Sequence, residues 1–249
     1  MEEHPFSATK LATMREEIRR DGLLADQFLA DDPDIPAFGL NLACAWPFPE
    51  FWRASYERMA NRLGALGPGV YVYPFPFTHV TLVTLVSFAR HARPTAALMK
   101  PLLETLPEIT ATLSPLFTAD SPDRIKHFKV HPQLPVLARG AGILPLLNPD
   151  GEVRRLRQRT VELLQHNEPL HRELTQRGLN VPGIIHSTVM RFRQPLPDLE
   201  KFLAAFDQIA AETSFPPVEV EEILLTSETK PYMRGGEVLR RFQLSLGSR

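Results

Sequence analysis

Twenty-four prolines among 249 residues are the feature that most restricts how this chain can fold. Because proline lacks an amide hydrogen and fixes its own φ angle, it ends helices and is confined to the edges or irregular points of sheets. Prolines spread along the chain therefore predict many short elements, and they argue against a bundle of long helices.

Between the prolines, two hydrophobic patterns alternate. Apolar residues at helical spacing predict helices over 9–29, 49–66, 94–106, 150–166 and 196–212. Runs rich in β-branched and aromatic residues predict strands over 37–46, 70–85, 110–117, 125–130, 134–138, 183–192, 218–226 and 237–246. Strands outnumber helices and short turns join many of them, so the predicted class is α+β with mainly antiparallel sheets. The second half of the chain also repeats the strand and helix order of the first.

The charge balance restricts the class of partner. Lysine and arginine total 28, aspartate and glutamate total 29, and the formal net charge is −1. Such a chain has no general attraction for DNA, long RNA or a membrane surface. A small phosphorylated substrate needs only a local positive site and stays compatible with this composition.

Cysteine content and the start of the chain bear on location. Cys44 is the only cysteine, which excludes an internal disulfide and a cysteine-based zinc site. The opening residues are acidic and lack the apolar region of a signal peptide. No run approaches the roughly 18 apolar residues of a membrane-spanning helix. We therefore expect a cytoplasmic protein.

Two of the predicted strands carry a histidine followed two residues later by a threonine. The pairs are His79 with Thr81 and His186 with Thr188. Residues two apart on a strand point to the same face, so each motif places an imidazole beside a hydroxyl. One such pair is common by chance, and a lone histidine in an apolar strand is more often a core residue. Two copies in corresponding places favour a functional role.

The chemistry of these four side chains suits phosphodiester hydrolysis. Imidazole serves as general base or general acid because its unperturbed pKa is near 6.5. Threonine hydroxyls can donate to the non-bridging oxygens of a phosphate and stabilise developing charge. This set needs no metal and no cofactor. The sequence leaves open which histidine is the acid and which is the base.

The two motifs resemble the paired H-x-T/S motifs of the two-histidine (2H) phosphoesterases, which include LigT-like RNA 2′,3′-cyclic phosphodiesterases. The resemblance covers about residues 38–246 and leaves out an N-terminal helical segment over 1–31. It implies a single bilobal domain over 1–249, in which a pseudo-two-fold axis relates two sheets with flanking helices. Each lobe would then supply one motif to a central active-site cleft.

The same resemblance implies a substrate class. We expect a metal-independent phosphodiesterase acting on a small cyclic-phosphate nucleotide or an RNA end, and we expect a monomer. The rival hypothesis is a module of the same fold that binds RNA or a phosphorylated ligand without turnover. A third hypothesis, a metal hydrolase using both histidines, lacks a carboxylate near either motif.

Further candidates flank the motifs. Phe77 is the best candidate to stack on a nucleobase, although a core role for the alternating aromatic residues at 71, 73, 75 and 77 is favoured. A loop with two glycines joins the last two predicted strands and could contact phosphate through Lys230, Tyr232 and Arg234.

Two other groups of residues have simpler explanations. His127 and His131 are spaced for a metal on a helix, but on a predicted strand they are expected to be surface residues. Four arginines crowd one predicted helix, where a solvated face is favoured over a phosphate or RNA patch: Arg154, Arg155, Arg157 and Arg159.

Overall fold

The computed structural model describes residues 6–30, 34–90 and 103–245. The α-helices in these ranges are α1 (Ala8–Asp21), α2 (Gln27–Ala30), α3 (Arg53–Gly64), α4 (Leu106–Leu113), α5 (Glu152–His166), α6 (Glu168–Gln176) and α7 (Leu199–Ala211). The strands are β1 (Gly39–Cys44), β2 (Val70–Val72), β3 (Val80–Val86), β4 (Phe128–Pro132), β5 (Val136–Ala138), β6 (Ala141–Leu147), β7 (Ile185–Phe192), β8 (Val218–Val220), β9 (Glu222–Glu228) and β10 (Gly236–Gln243). Short 3-10 turns occupy Glu50–Trp52, Phe75–Phe77, Phe88–Arg90, Ser114–Leu116 and Pro231–Met233.

The strands form two antiparallel sheets. The first has the order β10-β9-β1-β3, and the second has the order β2-β7-β6-β4-β8 with β5 also paired to β6. Every ladder between these strands is antiparallel in the part of the chain that the structure describes. One His-x-Thr motif stands at the start of β3, with His79 immediately before the strand, and the other lies within β7. The predicted α+β class with two mainly antiparallel sheets is confirmed.

Amphipathic spacing explains the helices that cover these sheets. In α3, Tyr56, Met59 and Leu63 recur at steps of three and four and are buried. In α7, helical spacing predicts an inner face of Leu199, Phe202, Leu203, Phe206 and Ile209; Leu199 is half-buried and the other four are buried. These side chains share one core with β1, whose six residues are all buried. Burying one large apolar side chain stabilises a fold by about 1.5–3 kcal/mol, so these faces fix where the helices sit.

The prediction of one strand over 70–85 is wrong in its middle. The chain leaves β2, forms the 3-10 turn Phe75–Phe77 and enters β3 only after His79. Pro74 and Pro76 are the physical reason, because neither can donate to a β-ladder and their fixed φ angles suit a turn. The aromatic alternation expected on the face of His79 is therefore broken before the histidine.

The strands predicted over 110–117 and 125–130, which the short turn between them would pair as a hairpin, do not pair with each other. The first arm lies in α4, where Ile109 and Leu113 are fully buried one helical turn apart. The second arm becomes β4, which pairs with β6 and β8 instead. The helix predicted over 94–106 falls largely outside the described residues.

The N-terminal segment packs against the second half of the chain. Ser7 accepts a hydrogen bond from the backbone of Lys10 and so caps α1. Arg19 of α1 forms an ion pair of 2.9 Å with Glu200 of α7. Within the described ranges, the helices are too short or too polar to cross a bilayer. The division into one bilobal domain with an added segment over 1–31 stays a prediction.

Two grooves at matching places reveal the internal repeat. One groove, of about 800 Å³, lies between α5 and residues 181–185, just before His186. Its counterpart, of about 450 Å³, lies between α3 and residues 72–76, shortly before His79. Neither groove is lined by a histidine. The matched pair of helix, groove and strand is the pseudo-two-fold arrangement that the resemblance implied.

Candidate active site

His79 is held in one orientation by the turn that precedes it. Its Nδ1 lies 2.8 Å from the carbonyl oxygen of Phe77, two residues earlier in the chain. A carbonyl oxygen can only accept, so Nδ1 carries the proton and Nε2 is left as the basic atom. The 3-10 turn Phe75–Phe77 thus fixes both the tautomer and the direction of the ring.

His186 stands in the same relation to its own strand. Burial lowers the pKa of His186, and the carbonyl of Ile184, again two residues earlier, opposes this shift by acting on the ring as a hydrogen-bond acceptor. Nδ1 is buried and lacks a hydrogen bond of normal geometry, so this contact is looser than that of His79. Arg157 donates to the same carbonyl over 3.1 Å. The backbone therefore directs both rings through the carbonyl two residues before each histidine.

Burial favours the neutral form of both imidazoles, because it lowers the pKa of each. It is the largest cause that lowers the pKa of His79, and the positive charge of His186 lowers it further, while the Phe77 carbonyl opposes the shift. Burial also lowers the pKa of His186 most, with Arg157 and Arg191 adding to the effect. Because the charge of one ring acts on the pKa of the other, the two rings are electrostatic neighbours. One neutral ring can accept a proton from water, and the other, once protonated, can donate a proton.

A β-bulge stands at the same position in both histidine-bearing strands. In β3, Leu42 pairs with Val83 and Ala43 with Thr81, which leaves Leu82 as an extra residue. In β7, the pairing skips Val189 in the same way. Both extra residues lie three positions after their histidine. A bulge shifts the alternation of side chains by one, so the fifth residue after each histidine rejoins its face.

The bulges also connect the two halves. The carbonyl of Leu82 accepts a hydrogen bond of 2.9 Å from Nε of Arg157, which belongs to the second half. The carbonyl of Val189 accepts one of 2.9 Å from the backbone of Tyr73, which belongs to the first half. At both bulges the donor comes from the opposite half of the chain, and the bond from Tyr73 continues the pairing of β2 with β7. The two strands are thereby held in a fixed relation.

The side chains that share a face with the two histidines are all half-buried. We call this set the histidine face: His79, Thr81, Thr84, His186, Thr188 and Arg191. The neighbours between them on β3 and β7 are buried. Each motif therefore presents its histidine and threonine on one face, and the bulges add Thr84 to the first face and Arg191 to the second. The electrostatic effect of His186 on His79 links the two faces.

The two motif threonines are available to a ligand. Thr81 lies opposite Ala43 on β1, and Thr188 lies opposite Ile143 on β6. Neither hydroxyl makes a hydrogen bond within the described residues. A half-buried hydroxyl without a partner is costly unless water or a ligand satisfies it. Both are therefore suited to donate to a bound oxyanion.

Phe77 and Tyr232 belong to one aromatic cluster. Tyr232 is 6% exposed and packs with Tyr73 and Leu29, and Phe77 contacts this cluster from the side of His79. The rings of Tyr73 and Tyr232 meet edge to face with centroids 5.6 Å apart. Phe77 therefore has a packing role, and its use as a stacking platform stays a prediction.

Lys230 and Arg234 lie at the outer end of the same loop. Lys230 forms an ion pair of 3.0 Å with Asp34, and Arg234 contacts the same carboxylate. Arg234 also donates to the hydroxyl of Tyr71. The loop thus separates its residues: Tyr232 points into the aromatic cluster, while the two cations are paired at the surface. Their contact with a substrate stays a prediction.

A buried carboxylate, that of Glu228, holds this loop in its shape. Tyr232 and Met233 have φ angles of 66° and 60°, in the left-handed region that is unfavourable for residues with side chains. Glu228 accepts hydrogen bonds from the backbone of Met233 (3.0 Å) and from Asn41 (3.1 Å). Burial raises the pKa of Glu228 to about 7, although these hydrogen bonds oppose the shift. The loop is therefore supported by a carboxyl group that takes up a proton near neutral pH.

The raised pKa predicts how Glu228→Gln changes stability with pH. The folded protein binds this proton more tightly than the unfolded chain does, so the stabilising contribution is complete below about pH 4.5 and is lost as the pH rises through about 7. Glutamine stays neutral at every pH. The unfolding free energy of the Glu228→Gln variant, relative to that of the native protein, should therefore increase by about 2–3 kcal/mol from pH 5 to pH 9. Urea unfolding at pH 5, 7 and 9 measures this difference. Glu222→Gln, an exposed change at the start of the same strand, should show no such trend. Parallel curves for both variants would contradict the assignment.

Arg191 and Arg157 are the functional candidates that the sequence argument missed. Arg191 lies five residues after His186, but without the bulge it would point away from the histidine. Arg157 was placed on a solvated helix face, yet it bridges Leu82 and Ile184 beneath the two motifs. The spacing of Arg191 from His186 was visible in the sequence, whereas the bulge that gives this spacing its meaning was not.

The remaining histidine pair is not assembled into a metal site. His127 contacts the carbonyl of Leu244 through Nε2 over 2.9 Å, and His131 lies on β4. No group of three or more histidine, cysteine, aspartate or glutamate side chains in the described ranges is arranged to hold a metal ion.

Comparison with known proteins gives likenesses of structure. No protein-family model and no curated protein sequence matches the chain. TT0787 of Thermus thermophilus is 22% identical in sequence and has a TM-score of 0.51, and the match covers 84% of this chain and all of that one. LigT of E. coli in apo form is 16% identical with a TM-score of 0.43, over 85% of this chain and 99% of LigT. The MHV ns2 PDE domain is 13% identical with a TM-score of 0.39, over 82% and 97%.

These identities are low, so the likeness concerns the fold and not the reaction. The two-lobed α+β fold implied by the resemblance to the two-histidine phosphoesterases is thus confirmed, in the chain's own topology and in its likeness to TT0787.

Proposed function

We propose that the chain is a metal-independent phosphodiesterase that hydrolyses a cyclic phosphate or an RNA-end phosphodiester. The observation that carries the proposal is the matched geometry of His79 and His186. Each ring is directed by the carbonyl two residues before it, and each strand bulges three residues after it. A histidine buried for packing alone would not require this geometry twice.

The proposed reaction uses the two rings in complementary states. One neutral imidazole takes a proton from water as the water oxygen forms a bond to phosphorus. The other, carrying a proton, donates it to the ribose oxygen as the old P–O bond breaks, which yields a phosphomonoester and a free hydroxyl. The phosphate anion itself favours the protonated state of one ring, since an opposite charge nearby raises a histidine pKa. Which histidine has which role is left open.

The other members of the histidine face support the phosphate. Thr81 and Thr188 supply hydroxyl donors from opposite sheets, and Arg191 supplies a positive charge whose field already acts on His186. Donors fixed in place before the reaction stabilise the developing charge without having to reorganise. Substrate contacts by Phe77, Lys230, Tyr232 and Arg234 form the outer part of the same proposal.

A substrate panel with a chelation arm tests the proposal. The compounds are a 2′,3′-cyclic nucleotide, a 2′,5′-linked oligoadenylate and an RNA ending in a cyclic phosphate, with phosphorus NMR identifying the product isomer. We expect hydrolysis of at least one compound, at a rate unchanged by exhaustive EDTA treatment. Activity lost on chelation and restored by Zn²⁺ or Mn²⁺ would favour a metal hydrolase. Binding without turnover would favour a non-catalytic module.

A further inference from the structure

The segment Leu24–Ala30 crosses from one lobe to the other, and we call it the N-terminal strap. Its backbone is attached to the second sheet: the amide of Leu24 donates to the carbonyl of Arg139 and that of Asp26 donates to the carbonyl of Phe192, each over 2.7 Å. Its side chains reach the first lobe, where Phe28 meets Phe88 edge to face at 5.4 Å. The strap therefore links both lobes beside the histidine face.

The strap places the carboxylate of Asp26 beside Arg191 of the histidine face. Its side chain is 9% exposed. The carboxylate accepts hydrogen bonds from the backbone of Phe28 (3.0 Å) and Leu29 (3.2 Å), from Arg191 (3.2 Å) and from the hydroxyl of Tyr232. Four donors that converge on one enclosed carboxylate form an anion-binding site. The side chain of Asp26 occupies this site.

Arg191 is fixed in position by the same contacts. Its Nε donates to the hydroxyl of Tyr73 over 3.1 Å, and its guanidinium stacks on the ring of Tyr232 at 4.7 Å. Burial raises the pKa of the Tyr232 phenol, and the hydrogen bond to Asp26 adds to this effect, so the phenol stays a donor. The cation next to His186 is thus rigid and already paired.

We propose that Asp26 is a specificity-determining residue, which selects compact cyclic mononucleotides over polyanionic oligonucleotide ends. This inference rests on the proposed function. A second phosphate beside the reacting one would be attracted to the positive charge of Arg191. There the Asp26 carboxylate already binds the guanidinium, and its negative charge repels the second phosphate. A cyclic mononucleotide carries a single phosphate, which the two histidines, the two threonines and the positive field of Arg191 can stabilise while Asp26 stays paired with the guanidinium.

Charge removal at Asp26 tests the selection. Asp26→Asn keeps the acceptor oxygen of the short helix α2, and Asp26→Ser keeps a capping side chain, so both variants should fold. The kcat/KM ratio for a cyclic-phosphate-ended tetranucleotide against adenosine 2′,3′-cyclic phosphate should rise about 10-fold in both, the scale of one charge-assisted contact. Asp21→Asn removes a paired carboxylate from the same N-terminal segment, away from Arg191, and should leave the ratio unchanged.

A second measurement does not depend on turnover. Sulfate is titrated into each protein while the Nε–H signal of Arg191 is followed by NMR. The Kd for sulfate should fall about 10-fold in the two Asp26 variants and stay unchanged in Asp21→Asn. If the native protein hydrolysed neither nucleotide, the proposed function would fail, while a tighter sulfate complex would still support Asp26 as the competing anion. An unchanged Kd and an unchanged substrate ratio in folded Asp26 variants would overturn the inference.

Discussion

Replacement of His79 or His186 by alanine is expected to lower kcat by about 10²–10⁴, the usual scale for losing one positioned acid or base. Each ring presents one basic nitrogen, because the preceding backbone carbonyl engages the other. The double variant should be little slower than the slower single variant, since both rings serve the same proton-transfer event. Initial rates on whichever compound of the panel is hydrolysed provide the measurement.

A matched control separates chemistry from the loss of any histidine. His166 lies exposed at the end of α5, where its Nδ1 faces the carbonyl of Glu162. His166→Ala should leave kcat unchanged, and circular dichroism should show that all variants fold. A folded His79→Ala or His186→Ala protein with near-native kcat would refute the two-histidine mechanism.

The elements that the sequence predicted well are those whose burial follows a simple period. Helix α3 and helix α7 bury the side chains that recur at steps of three and four. In α5, helical spacing predicts an inner face of Val153, Leu156, Thr160 and Leu163. The first three are buried, and Leu164 rather than Leu163 completes the face. Such helices are defined by one stripe of apolar residues, which is local information.

The failures arise where tertiary structure overrides a local preference. The predicted strand over 218–226 is divided into β8 and β9, which belong to different sheets. Strand β6 was missed because Pro145 lies within it, and proline is unusual in a central strand. Its place opposite His186 is determined by pairing with β7, which only the folded chain defines.

Only part of the candidate site could be predicted from the sequence, because the rest depends on tertiary structure. Spacing along the chain identified His79, Thr81, His186 and Thr188, because residues two apart share a face in any regular strand. Arg191 needed the bulge at Val189, and Asp26 needed the strap to cross the lobes. Neither a bulge nor a contact across 165 residues leaves a periodic signal in the sequence.

The second large effect is expected at the motif threonines. Valine keeps the shape of threonine and removes the hydroxyl donor, so Thr81→Val and Thr188→Val should each cost about 2–4 kcal/mol of transition-state stabilisation, as for an oxyanion-hole donor. Neither hydroxyl has a hydrogen-bond partner within the described residues, so little folding energy depends on it. The loss should appear in kcat/KM at nearly constant Tm.

Thr226→Val is the control for a threonine hydroxyl that stabilises the fold rather than binding a ligand. Thr226 is fully buried on β9 and donates to the carbonyl of Asn41 over 3.3 Å. Removing this hydroxyl should lower the free energy of unfolding by about 1 kcal/mol and leave kcat/KM unchanged. If Thr81→Val and Thr188→Val behaved like Thr226→Val, with lower stability and native kcat/KM, their hydroxyls would serve the fold. The proposed phosphate site would then lack two of its donors, and the two histidines would have to act with Arg191 alone.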